Sequence, residues 1–291
     1  MDNIYKKPKI VAEIGCNHKG DINIAKELIT IAFECGADFV KFQKRNNKEL
    51  LSDIQYNTPH PNPINSYGKT YGEHREFLEF NIMQHRELKL FAENLGVNYS
   101  SSVWDITSAN EMVDISPLFI KVPSACNNNF EMLEVLRDTY SGDVHISLGM
   151  TNYNEEQSII DFFANTNQLN KLVLYSCTSG YPVRFDDVCM LELVRIKEIF
   201  GDKIKDIGFS GHHLGIAIDI AAYTLGANWI ERHFTLDRTW KGTDHSASLE
   251  PTGLRKLCRD LGATCQSLTY KEKEILEVEH EQRNKLKFKK S

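Results

Sequence analysis

Two histidines stand at the ends of neighbouring apolar runs, His212 in IGFSGHH and His233 in NWIERHF, with the helical stretch IAIDIAAYTLGA between them. Imidazoles delivered side by side by adjacent parallel strands can form half of a divalent metal site. By spacing alone the pair reads equally well as packed structural histidines, and His213 is the neighbour expected to point away. A lysine inside an apolar strand is harder to explain by packing, because an unpaired buried ammonium is costly. Lys41 in FVKFQ and Lys121 in FIKVPS are both of this kind and read as ligand-binding groups. Hydroxyls lie at the ends of the same runs: Ser102, Ser124, Ser147, Ser179 and Ser210. Each alone would ordinarily be a helix N-cap. Together, two lysines and a set of hydroxyls can hold a small, highly charged oxyanion beside a metal. Other polar residues at run ends are Glu13, Gln43, Tyr181 and Glu231, with Asp244 in the loop beyond the last run. Asn17 and His18 follow the first run and could line the site; His18, His74 and His85 otherwise read as loop or helix-surface residues.

The runs that carry these residues recur regularly. KIVAEIG, DFVKFQ, VNYSSS, LFIKVPS, DVHISLGM, LVLYSCTS, IKDIGFS and ANWIERHF have the length and β-branched content of buried strands, and helical patterning separates them. Eight such repeats over about 265 residues match the α/β architecture of a single (β/α)8 TIM barrel, whose active face lies at the C-terminal strand ends. An open doubly wound sheet rarely sustains that many consecutive right-handed units. The expected division is a barrel over residues 1–268 and a charged, solvated tail over 269–291. Asp21 is the expected cap of the first helix. Residues 44–70 are polar and rich in Pro and Asn, a long connection expected to pack over the domain as a lid. A single helical stretch is expected from Glu73 to Leu95.

Composition narrows the function classes. The 291 residues are 41% hydrophobic and 25% charged, with a net charge of −6 and no basic stripe for nucleic acid. No apolar run approaches the ~18 residues of a membrane span, and MDNIYKKPKI does not read as a signal peptide, so a cytoplasmic location is expected. Seven cysteines without a C-x-x-C pair read as free thiols.

As strings, these segments resemble the sialic acid synthase family: AEIGCNHKGD, GADFVKFQ, KVPSACNNNFEML, SLGM, SCTSGYP, FSGHHLGI, ERHFTLD and KGTDHSASLEP follow in the family's order from about residue 9 to 265. The resemblance implies a (β/α)8 barrel that condenses phosphoenolpyruvate with an amino-sugar aldehyde and releases phosphate. It places a divalent metal, manganese first and magnesium or cobalt as alternatives, on His212 and His233. Lys41, Ser102, Lys121, Ser124, Ser147, Ser179 and Ser210 would hold phosphoenolpyruvate, while Glu13, Gln43, Tyr181 and Asp244 would contact the sugar or support the chemistry. Family members carry an antifreeze-like C-terminal domain that is not found in this sequence; a separate partner protein or the Arg/Lys-rich tail is expected to take its place at the sugar, and the resemblance implies a homodimer. Gly211 stands where the family usually has Asp, and Cys126 replaces an acidic residue. Alternatives are synthesis of another nonulosonic acid or a deoxy-octulosonate, a pyruvate-dependent metal aldolase, and a non-catalytic barrel that binds a sugar phosphate.

Overall fold

A computed structural model describes residues 5–288; residues 289–291 of the expected tail lie outside the described residues. Eight parallel strands close in sequence order: β1 (Lys9–Gly15), β2 (Phe39–Lys44), β3 (Asn98–Val103), β4 (Phe119–Val122), β5 (Asp143–Ser147), β6 (Leu172–Cys177), β7 (Asp206–Gly211) and β8 (Trp229–His233). β1 pairs with both β2 and β8, so the sheet has no free edge. This is the expected single (β/α)8 barrel. Strand ends differ from expectation by one to three residues. β4 stops at Val122 because the next residue, Pro123, has no N–H to donate to a ladder.

The period of two sorts each strand between two environments. Ile10, Ala12 and Ile14 of β1 face outward into the core shared with the helices, as do Val40 and Phe42 of β2. Val11, Phe39, Phe119, Val173, Tyr175 and Trp229 form a separate buried cluster inside the barrel. The alternate residues beyond them toward the strand C-termini are polar.

The first helix, Ile22–Cys35, begins where Asp21 accepts from the Asn23 N–H and ends at Gly36 in the left-handed region, φ 95°. Two expectations need correction. The stretch from Glu73 to Leu95 is two helices, Tyr71–Phe77 and Ile82–Leu95. Asn81 restarts the second in a capping box with Gln84, and Leu78 and Phe80 in the break are buried. The charged C-terminal stretch also contains a helix, Glu277–Leu286, none of whose residues is buried. Residues 44–70 hold two short helices and a 3-10 turn, and they meet the loop after β8 where Tyr67 Oη donates to the Lys241 carbonyl. No helix among the described residues is long and apolar enough to cross a membrane, and all seven cysteines are free.

Candidate active site

The barrel interior is layered. At the bottom, Phe39, Phe119 and Trp229 pack ring against ring at 5.2–5.3 Å. His145 stacks on Phe119 at 3.9 Å, with Nδ1 3.0 Å from the Tyr175 hydroxyl. Burial drives the His145 pKa well down, so this imidazole is a neutral part of the floor. Gly208 lies against the Tyr175 ring: a Cβ there would come within 2.5 Å of it.

One step toward the mouth is a layer of charge. Lys41 Nζ lies 2.5 Å from Glu13 Oε2, 2.7 Å from Ser102 Oγ and 3.8 Å from Glu231 Oε1. Lys121 Nζ lies 3.0 Å from Glu231 Oε2 and 3.6 Å above the Tyr175 ring. Ser210 Oγ donates to Glu231 Oε1 at 3.1 Å. Burial pushes Glu13 up to about 6, with Lys41 pulling the other way. Burial also raises Glu231, but Lys121 and Lys41 outweigh it and hold that carboxyl at about 2. Burial lowers the Lys121 ammonium, which Glu231 opposes.

Above the charges, Gln43 donates from Nε2 to Glu13 Oε1 at 2.8 Å. His212 and His233 face each other with ring centroids 5.4 Å apart, and Tyr181 covers both at 4.3 and 5.7 Å. Asp244 stands behind His233, its Oδ2 4.0 Å from His233 Nδ1. Ser124 and Ser179 converge on Gly149, where a Cβ would come 2.7 Å from the Ser124 hydroxyl and 2.5 Å from that of Ser179. The Ser147 carbonyl near them accepts from Asn127 Nδ2 at 2.9 Å. A cavity of roughly 300 Å³ is lined by twelve of the thirteen residues to which the resemblance gives a role, the exception being Asp244. Lys41 and Lys121 do pair with acids, and those acids belong to the same mouth.

The imidazoles suit a cation. His212 Nδ1 donates to the Thr178 carbonyl at 2.9 Å, which leaves the Nε2 lone pair free for a ligand. Burial lowers the His233 pKa to about 4, keeping it in the neutral form a metal requires, and its buried Nδ1 has no hydrogen-bond partner. Among the described residues no group of three His, Cys, Asp or Glu side chains is arranged around one point. A metal resting on His212 and His233 would therefore complete its shell with water and substrate oxygens, as a Lewis-acid site does and a closed structural site does not.

Three histidines expected at the surface are buried. His18 stacks on Phe80 at 4.0 Å, His85 Nδ1 lies 2.5 Å from the Tyr99 hydroxyl, and His74 packs against His60 at 4.4 Å. Each ring finds an aromatic or hydroxyl neighbour, so burial as the neutral imidazole is tolerated. His213 is buried behind the site, 3.2 Å from Arg232 Nη1, as expected of the neighbour that points away. Four cavity-wall or second-row residues had been assigned no role. Glu231 was visible only as a strand-end acid, Trp104 and Cys177 line the cavity, and Arg45 stacks on Trp104 at 4.0 Å. The signal for Arg45 was its position two residues past Gln43.

The NeuB family model matches residues 28–273. The N-acetylneuraminate-9-phosphate synthase of Homo sapiens is 40% identical over 275 residues, covering 93% of this chain and 74% of that protein. The N,N'-diacetyllegionaminic acid synthase of Campylobacter jejuni is 35% identical over 257 residues, covering 88% and 76%. The crystal structure of N-acetylneuraminic acid (sialic acid) synthetase from Leptospira borgpetersenii serovar Hardjo-bovis, in complex with citrate, superposes with a TM-score of 0.79 at 27% identity, covering 98% of this chain and 94% of that one. The chain thus belongs to the NeuB family of sialic acid synthases, enzymes that form a carbon–carbon bond in making sugar acids.

Proposed function

We propose that the protein condenses phosphoenolpyruvate with an amino-sugar aldehyde to give a nonulosonic acid and phosphate. One observation carries the reading: two buried ammonium groups and two facing imidazoles share one barrel mouth. Lys41, Lys121 and the hydroxyls of Ser102, Ser124, Ser147, Ser179 and Ser210 would bind and orient the phosphate and carboxylate of phosphoenolpyruvate. A divalent cation on His212 and His233, manganese or alternatively magnesium or cobalt, would supply Lewis-acid polarisation of the aldehyde oxygen. Gln43, Tyr181 and Asp244 would hold the open-chain sugar so that its carbonyl carbon meets C3 of the enol. C3 would bond to that carbon as the aldehyde oxygen takes a proton, water would add at C2, and the C2–O bond to phosphate would break, leaving a ketone at C2 and free phosphate. Glu13, displaced to about 6, would position that water and take its proton.

The similarity to proteins named for sialic, legionaminic and pseudaminic acid synthesis supports this substrate class. A cytoplasmic location and a homodimeric assembly are part of the same proposal. The test is phosphate release from phosphoenolpyruvate with a panel of hexose and hexosamine aldehydes, the product identified by mass. Release must require both substrates, and His212→Ala and His233→Ala must each abolish it without altering the circular dichroism spectrum. Wild-type turnover in either variant, after metal stripping and re-addition, sinks the assignment.

A further inference from the structure

Arg232 lies on β8 between two residues that line the cavity, Glu231 and His233. The period of two turns its side chain to the outside of the barrel, where it is 1% exposed. A guanidinium buried this far keeps its charge and has to be met by protein acceptors. Nη1 donates to Asp219 Oδ2 at 2.5 Å and to the Gly215 carbonyl at 2.8 Å, and Nη2 donates to the His213 carbonyl at 2.6 Å. The His213 ring closes the group, with Nε2 3.2 Å from Arg232 Nη1 and 3.3 Å from Asp219 Oδ2. Asp219, in the first turn of the helix Ala217–Thr224, is fully buried, and so is His213.

The two carbonyls held in this way belong to the turn between β7 and that helix, and the turn begins with His212. It also fixes a second piece of the mouth. The His212 carbonyl accepts from the Val183 N–H at 3.0 Å, and Val183 pairs with His213 in an isolated parallel bridge. Val183 stands two residues past Tyr181. One guanidinium therefore ties the strand carrying His233 to the turn carrying His212 and, through Val183, to the segment carrying Tyr181. Stability alone does not call for an ion pair here, because apolar groups of similar volume often serve a buried position as well. A cation resting on two imidazoles does depend on where the rings stand, and groups behind metal ligands change affinity about 10- to 100-fold. We propose that Arg232, with Asp219 and His213, is a positioning clamp that sets His212 against His233 at the spacing a divalent cation needs. The inference rests on the metal reading of the two histidines, and it gives a role to three buried residues that do not line the cavity.

Two variants of the full chain separate position from stability. Asp219→Asn keeps the shape and removes the charge behind the guanidinium. Arg232→Met combined with Asp219→Leu removes both charges and fills the space with apolar atoms, so that no buried charge is left unpaired. Mn2+ affinity is measured by electron paramagnetic resonance, the ring signals of His212 and His233 by NMR of histidine-labelled, metal-free protein, and unfolding in urea. His212→Ala and His233→Ala assign the signals and the Mn2+ site. The double variant is expected to keep a urea midpoint close to that of wild type, to bind Mn2+ about 10- to 100-fold more weakly, and to show displaced His212 signals. Asp219→Asn should fall between it and wild type. Mn2+ affinity within about threefold of wild type in the folded double variant would leave the three residues a packing role and overturn the proposal. Weaker binding with unmoved His212 signals would trace the loss elsewhere, with the same consequence. If the double variant does not fold, the same two criteria are applied to Asp219→Asn. If wild type takes up no Mn2+ that His212→Ala removes, the metal reading fails, and the clamp stands or falls on whether the His212 signals move in the variants.

Discussion

Replacing Glu231 by Gln isolates the charge that holds the barrel interior together. The change keeps the shape and removes one negative charge from between two ammonium groups, Lys121 at 3.0 Å and Lys41 at 3.8 Å, exposed by 1% and 2%. The Glu231 carboxyl moves from 4.5 to about 2 in this setting, a displacement worth roughly 3 kcal/mol. Breaking a buried pair by removing one partner costs about 3–5 kcal/mol by independent reasoning, so the two routes meet near 3. Glu231→Gln should therefore lower the unfolding free energy by roughly 3 kcal/mol near neutral pH, measured by urea denaturation followed by circular dichroism. The sign with pH follows from the depressed value. The stabilisation is present above 4.5 and is lost as pH falls toward about 2, so the gap between wild type and variant must close across that window. Inorganic phosphate, which offers the two lysines a replacement counter-charge, should stabilise the variant more than the wild type. A deficit below about 1 kcal/mol near neutral pH, or one that persists below the window, would refute the pairing as the source of order in this layer.

Gly149→Ala places a methyl 2.5 Å from the Ser179 hydroxyl and 2.7 Å from that of Ser124. It should raise the KM for phosphoenolpyruvate by about tenfold or more while the aldehyde KM moves less than about twofold, and equal KM values for wild type and variant would remove Gly149 from the phosphate cradle. Glu79 is pushed up to about 7 by burial, against Arg45 and Lys44. Its raised value means that stability is highest while the group is protonated and is lost as pH rises from 4.5 through about 7. Glu79→Gln should thus stabilise the protein by roughly 2–3 kcal/mol near pH 8 and leave it almost unchanged near pH 4, and thermal melts at the two pH values that show no such difference would contradict the burial argument.

Much of the site was legible because a strand has a period of two. In FVKFQ, Phe39, Lys41 and Gln43 share one face, and that face turned out to run from aromatic floor to charged layer to mouth. The same reading of Phe119 and Lys121 in β4 holds. What a linear chain does not display is which acid meets which lysine. Glu231 reaches Lys121 across the closed barrel, 110 positions away in sequence, and only closure makes that pair. The buried His85 was recoverable, since it lies three and seven residues before Leu88 and Ala92 on the buried face of its helix.

For the phosphate binding proposed above, the layering limits where affinity could come from. Lys41 and Lys121 are paired with Glu13 and Glu231, so an arriving anion would have to compete with both carboxylates. Glu231, held at about 2, does not yield. Glu13, at about 6, sits within reach of a proton near neutral pH, and an anion placed beside it raises its proton affinity further. A proton on Glu13 would loosen its hold on Lys41 while the anion enters, and Glu13 would have to lose that proton again before it could take one from water. The hydroxyls at Gly149 carry no such conflict: they are neutral, they converge without a carboxylate between them, and they add hydrogen bonds without adding to the charge of a layer that burial already makes costly. On the proposed reading, two lysines would set the sign of the ligand, and the hydroxyl set together with one adjustable carboxyl would set how tightly it is held.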